Sequence, residues 1–282
     1  MSYRKQSRRK DMELGVLVRL DDMTIGEKIK KVKEMGFNSC QITAWKMELL
    51  TDEVADIINS ACKKHGVTVS TFWCGYSGPA VWNFYEGPIT LGLIPVEYRA
   101  QRVNDLILGS DFAKQLGVTN VATHVGFLPE TPYSGEYQPV VCAIRTVAKH
   151  CLENGQLFLF ETGQETPVTL RRTIEDVGTG NLGINLDPAN LILYGKANPI
   201  DALDVFGDLV REIHAKDGLY PTDGKHLGKE VPIGKGKVNF PEFIKKLKEI
   251  GYDGKLTIER EIFGEQQLKD IIEAKAYLES II

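Results

Sequence analysis

Along the chain, short runs rich in β-branched and aromatic residues alternate with longer stretches whose apolar positions recur every three to four residues. That alternation is the signature of βαβ units feeding a parallel sheet. The pattern predicts eight strands, over residues 13–20, 37–43, 67–74, 118–124, 157–161, 182–187, 209–216 and 255–260. Helical stripes lie between them: Ile25, Ile29, Val32 and Met35; Val54, Ile57, Ile58 and Ala61; Phe240, Phe243, Ile244, Leu247 and Ile250. Several helices end on one phrase, KEMGF at 33–37, KKHGV at 63–67, KQLGV at 114–118 and KEIGY at 248–252. In each, the glycine supplies a left-handed helix cap, and the apolar residue after it is expected to open the next strand.

One βα unit used eight times closes into a (β/α)8 barrel, the TIM-barrel architecture of the α/β class. Beyond its first residues the chain allots roughly 34 residues to each unit, a fit to the barrel's typical length of about 250. A doubly wound sheet of fewer strands competes, but it leaves strand candidates without a place. No Pro/Ser-rich linker divides the chain, so a single domain is expected over 13–282. The opening MSYRKQSRRK is basic and is followed by no signal-peptide core, so residues 1–12 read as a mobile tail.

Composition narrows the function. Apolar residues make up 43% and charged residues 26%, which excludes disordered and fibrous classes. A net charge of −4 argues against a nucleic-acid partner, and no apolar run approaches the ~18 residues of a membrane helix. The five cysteines are odd in number and form no C-x-x-C pair. With no export signal, they fit reduced thiols in a cytoplasmic protein.

In a parallel barrel the reactive side chains sit at the carboxyl ends of the strands. Here those ends carry His124, Glu161, Asp187, His214 and Glu259, each closing an apolar run. Buried carboxylates are costly unless paired or holding a metal. Glu161, Asp187, His214 and Glu259 come from predicted strands five to eight. Three carboxylates and an imidazole form a hard, oxygen-rich site for one divalent ion, suited to Mn²⁺ or Mg²⁺, with Co²⁺ and Zn²⁺ as alternatives. Structural ion pairs at strand ends are the other reading.

The segments FLFETGQE, GINLDPANL, VREIHAKDG, G-x-G-x-V-N-F at 234–240 and GYDGKLTIEREI resemble the xylose isomerase-like barrel superfamily. This group includes ketose 3-epimerases, hydroxypyruvate and sugar-phosphate isomerases, inosose dehydratases and endonuclease IV. The resemblance implies that Glu161, Asp187, His214 and Glu259 are metal ligands and that Glu161 and Glu259 are also the catalytic acid and base. It implies an isomerase or epimerase of a small carbohydrate, working through an enediolate that the ion stabilises. A lyase or dehydratase on a keto-cyclitol or keto-glycoside, and a non-catalytic sugar-binding barrel, are the alternatives. Two departures matter. Asn190 stands where epimerases and endonuclease IV usually carry a His, and Gly228 and Glu230 stand where endonuclease IV has further zinc ligands.

Other residues have weaker signals. His124, Asn190, Lys216, Trp82 and Phe84 are the candidate substrate contacts. Lys216 and Asp217 either orient His214 or form a loop ion pair, while Glu261 and His226 read as solvated. The loop at 75–95, with Trp82, Phe84 and Tyr85, suits a lid over a sugar ring or a contact between copies in a homo-oligomer. Gly234-Lys235-Gly236-Lys237 precedes a predicted helix and is a candidate anion site for a phosphorylated substrate, although it lacks the full P-loop pattern.

Overall fold

The computed structural model describes residues 12–282. The predicted tail at 1–12 lies outside the described residues apart from Met12, whose side chain is buried. Eight parallel strands form a closed barrel: β1 (Glu13–Leu20), β2 (Ser39–Ala44), β3 (Thr68–Cys74), β4 (Asn120–Thr123), β5 (Leu157–Glu161), β6 (Leu182–Leu186), β7 (Val210–Ala215) and β8 (Lys255–Ile258). Each pairs with its sequence neighbours, and β1 pairs with β8 from Glu13↔Lys255 to Val16↔Ile258, which closes the ring. The molecule is thus the single-domain (β/α)8 barrel that the hydrophobic pattern predicts. Among the described residues no helix is long and apolar enough to cross a membrane.

The amphipathic stripes bury as their spacing requires. Ile25, Ile29 and Val32 of helix Ile25–Glu34 and Phe240, Phe243, Ile244 and Leu247 of helix Phe240–Glu249 pack in the shell between sheet and helices. The repeated glycines take the expected left-handed backbone, with φ of 83° at Gly36, 65° at Gly66, 69° at Gly117 and 79° at Gly251.

The strand starts differ from expectation for a physical reason. Phe37, Val67 and Val118 do not open β2, β3 and β4. Their N–H groups bond back to Val32, Cys62 and Ala113, five residues upstream, which is the outer bond of a Schellman helix cap. The apolar residue after each glycine therefore finishes the helix before the ladder starts. At the other end, Asp187 leaves β6 because its N–H and carbonyl bond to the Thr162 hydroxyl, at 2.9 and 2.8 Å, instead of a ladder partner, and Pro188 has no N–H to continue the strand. Asp187 instead caps helix Pro188–Leu193, accepting from Asn190 N at 2.9 Å.

The barrel interior is divided. Trp73, Ala122 and Leu159 form a small apolar cluster of their own, joined by Trp45 and Leu157. Much of the remaining interior is polar, with Gln41, Asn185, Glu212 and His214 all buried.

Candidate active site

Four strand ends converge at one mouth. One ligand atom from each of Glu161, Asp187, His214 and Glu259 can be chosen so that all lie within 4.8 Å of one another, and all four residues are buried. His214 Nδ1 faces the centre, 3.2 Å from Glu161 Oε1 and 3.1 Å from Glu259 Oε2. Trp73 Nε1 donates to Glu161 Oε2, which leaves Oε1 for the centre, where Asn190 Nδ2 also reaches it at 3.3 Å. Asp187 Oδ2 is buried with no hydrogen bond, although Lys216 Nζ lies 3.3 Å away. An orphaned carboxylate oxygen aimed into a cluster of acidic donors is what a divalent cation satisfies, so these residues fit such an ion.

The electrostatics point the same way. Burial raises the Asp187 carboxyl above its usual range, with Lys216 opposing the rise and Glu259 and Glu161 adding to it. Burial disfavours charge on His214, but Glu161 and Glu259 outweigh it and hold the imidazole well above its ordinary value. In Glu259 the desolvation penalty is overcome by Lys216 and His214, which keep it ionised below the usual carboxylate range. Three carboxylates crowded in a buried mouth thus hold the positive charge of His214 and Lys216 among them.

The substrate-contact candidates mostly gather here. His124, Asn190, Lys216 and Trp82 all line the pocket above the cluster. His124 Nε2 lies 3.6 Å from Glu161 Oε1, and burial lowers its pKa. Phe84 does not line the pocket; it packs edge-on against Tyr194, which does, with ring centroids 6.3 Å apart. Glu261, expected as a solvated carboxylate, is half exposed yet pairs with Lys216 at 3.1 Å and lines the mouth. His226 is exposed, as expected, and pairs with Asp223. Its loop meets the aromatic loop, because Phe84 N donates to Lys225 O at 3.0 Å.

Lys216 and Asp217 have other partners than the His214 ring. Lys216 pairs with Asp187, Glu259 and Glu261. Asp217 accepts from the N–H groups of Gly218, Gly234, Gly236 and Val238 at 2.9–3.1 Å. This overturns the anion-site expectation for 234–237: the protein's own carboxylate fills the cradle. A Cβ on Gly236 would stand 2.1 Å from Asp217 Oδ1, so only glycine fits.

Sequence reasoning missed Gln41 and Asn185, which touch His214 Nε2 at 2.8 and 3.0 Å, and the tryptophans Trp45 and Trp73. The available signal was a glutamine, the one large polar side chain, inside the fully buried SCQITA strand. Trp45, Trp73 and Trp82 are the chain's three tryptophans, and together with His124 they form one wall of the pocket. Centroids are 5.2 Å apart for Trp45–Trp73, 6.1 Å for Trp45–Trp82 and 5.1 Å for Trp82–His124. The loop carrying Trp82 is fastened from below by the buried Arg102, which donates to Ser77 O, Pro79 O and Gly92 O. Its guanidinium also lies 4.3 Å from the Tyr76 ring centroid and 5.0 Å from that of Tyr98.

Comparison with known proteins agrees with this geometry. Residues 29–281 match the family model of the xylose isomerase-like TIM barrel, and the chain belongs to that family. A crystal structure of a xylose isomerase domain protein from Planctomyces limnophilus superposes with a TM-score of 0.90 at 36% identity, covering 96% of this chain and 97% of that one. The 3-keto-D-glucoside 4-epimerase of E. coli shares the fold, with a TM-score of 0.71 at 19% identity over 96% of this chain and 100% of that one. An uncharacterized protein of Methanocaldococcus jannaschii, MJ1311, is 28% identical over 192 residues, 64% of this chain. The match spans 61% of the length of that relative.

Proposed function

We propose that the protein is a divalent-metal-dependent isomerase or epimerase of a sugar or sugar derivative, with Glu161 and Glu259 as its proton-transfer pair. The observation that carries this reading is their placement. The two carboxylates come from the end of β5 and from the residue just after β8, and both reach His214 Nδ1, at 3.2 and 3.1 Å. Glu161, Asp187, His214 and Glu259 would hold the ion, with Mn²⁺ best suited to the donor set. When bound, such an ion polarises a carbonyl and a neighbouring hydroxyl and so acidifies the C–H between them.

The side chains account for the rest. One glutamate accepts the C–H proton while the other delivers a proton to the opposite face of the same carbon, which inverts it. Delivery to the neighbouring carbon instead interconverts aldose and ketose. The Lys216 ammonium, beside Glu259 and Asn190, is placed to stabilise negative charge growing on a substrate oxygen. His124 and Trp82 would orient the substrate, and the tryptophan wall excludes water from the reacting carbon.

The test is incubation with ketoses, keto-cyclitols and their phosphates plus Mn²⁺ in D₂O, followed by NMR. Deuterium entering a C–H beside the carbonyl is the expected result. Sugar binding without exchange in any member of a broad panel would overturn the enzymatic reading in favour of a binding barrel. A second reading, loss of a β-substituent from a keto-cyclitol or keto-glycoside, is favoured by the tryptophan wall, because a closed ring presents an apolar face that an open chain lacks. A dehydrated or cleaved product in the same experiment would select it.

A further inference from the structure

Barrel interiors of this class are usually packed with layers of bulky branched side chains. Below the carboxylate cluster this one carries a polar column instead. His214 Nε2 lies 2.8 Å from Gln41 Oε1. Gln41 Nε2 lies 3.4 Å from both Glu212 Oε2 and Asn185 Oδ1. Glu212 also receives Asn120 Nδ2 at 3.3 Å and Ser70 Oγ at 3.5 Å. Gln41 and Asn185 are fully buried, and Glu212 is 5% exposed.

Strand geometry singles out the same residues. β2 and β3 slip register between Cys40 and Gln41, passing over Ser70, and β6 and β7 slip between Ile184 and Asn185, passing over Arg211. Such irregularities re-aim side chains and recur beside functional sites. Here each slip falls immediately before a residue that touches His214 Nε2.

We propose that Gln41, held in one orientation by Glu212, is a positioning residue that fixes His214 as its Nε2–H tautomer and so presents the Nδ1 lone pair to the ion. The orientation follows from donor and acceptor types. Glu212 accepts from Asn120 Nδ2 at 3.3 Å, an amide nitrogen whose orientation is fixed independently by its bond to Ser70 O at 3.2 Å, so the carboxylate acts as the acceptor. The Gln41 amide nitrogen must therefore face Glu212 and its oxygen must face His214. The Gln41 oxygen at 2.8 Å calls for the proton on Nε2, and with that proton in place the Asn185 amide, whose Nδ2 stands 3.0 Å from the same nitrogen, must turn its oxygen toward it instead. A neutral imidazole protonated on Nε2 coordinates through Nδ1. The inference rests on the metal reading of the four-residue cluster.

The test is ion affinity, measured by calorimetry with Mn²⁺, Co²⁺ and Zn²⁺ on the full chain. Gln41→Leu keeps much of the volume but removes the acceptor, and it is expected to weaken the ion roughly 10–100-fold, the usual effect of losing such a partner. The double variant Q41E/E212Q exchanges carboxylate and amide, so that an acceptor still faces His214 and a donor faces it from below. Its affinity should equal or exceed that of the wild type. A side chain that merely filled space would give the opposite ranking, and that ranking overturns the inference. If Gln41→Leu fails to fold, the double variant decides, with a loss of more than about tenfold counting against the proposal. Histidine ¹⁵N shifts of the Zn²⁺-loaded protein give an independent readout: Nδ1 coordinated and Nε2 protonated is expected, and the reverse refutes it. Wild-type protein that takes up none of the three ions overturns the metal reading, and this inference with it. Wild-type uptake matched by Gln41→Leu overturns the inference alone.

Discussion

Glu165, four residues beyond Glu161, is 1% exposed, and neither of its carboxylate oxygens has a hydrogen-bond partner. Burial pushes its pKa up to about 8, with its own backbone N–H, the charge of Lys196 and the Gly163 backbone only partly offsetting the rise, whereas the unfolded chain titrates near 4.3. The sign of the linkage is therefore fixed. Below about pH 4 both states carry the proton and the group is neutral to stability. As pH rises, the unfolded state ionises first, and stability falls until the folded carboxyl also releases its proton. At pH 7.5 the unfolded carboxyl is ionised while the folded one still holds most of its proton. Keeping it there costs on the order of 4 kcal/mol, at ~1.4 kcal/mol for each pH step above the unfolded pKa. Glu165→Gln keeps the shape and removes the ionisation. Thermal unfolding in chelator at pH 7.5 should show it more stable by roughly 5 °C or more, since about 2 °C accompanies each kcal/mol in a chain of this size. At pH 5 the gain should shrink to about 1 kcal/mol. An equal change at both pH values, or a loss at pH 7.5, would refute the claim that keeping a buried carboxyl protonated is responsible.

Three further outcomes are expected. Glu161→Gln and Glu259→Gln should each slow turnover by at least ~10²-fold in ion-replete protein, the low end for a positioned acid or base; a replete variant with near wild-type C–H exchange refutes the two-glutamate mechanism. Trp82→Ala should raise KM for the sugar with ion affinity unchanged, and unchanged kinetics with an altered oligomer size would assign the aromatic loop to a subunit contact. Asp217→Asn should lower stability by roughly 2–4 kcal/mol in urea unfolding, because it turns a charged acceptor of four N–H groups into a neutral one with a misplaced donor; a loss below about 0.5 kcal/mol would mean that water replaces it freely.

The four residues of the cluster were legible because each interrupts an apolar run at the point where a strand ends, and an eightfold barrel brings all such points to one rim. Boundaries were less legible, since Phe37 and Val118 look like strand residues and act as helix caps. Gln41 carried no sequence-level sign of its company, because it lies on β2 and meets Asn185 and Glu212, register partners on the consecutive strands β6 and β7, only across the barrel interior. The opposite error arose at 234–237. Glycine and lysine spacing described a cradle for an anion but not its occupant, which comes from Asp217 on the far side of a long loop.

The fastening of the aromatic loop by Arg102 has a thermodynamic consequence. A loop of that length would ordinarily surrender much conformational freedom on closing over a ligand, and affinity would suffer accordingly. With three of its carbonyls already gripped by one buried guanidinium, the wall that carries Trp82 is in place beforehand. Ligand capture should then show the negative heat-capacity change of apolar contact with little of the entropic penalty of chain ordering. Relatives that differ at the Arg102 position would present a softer and more permissive pocket.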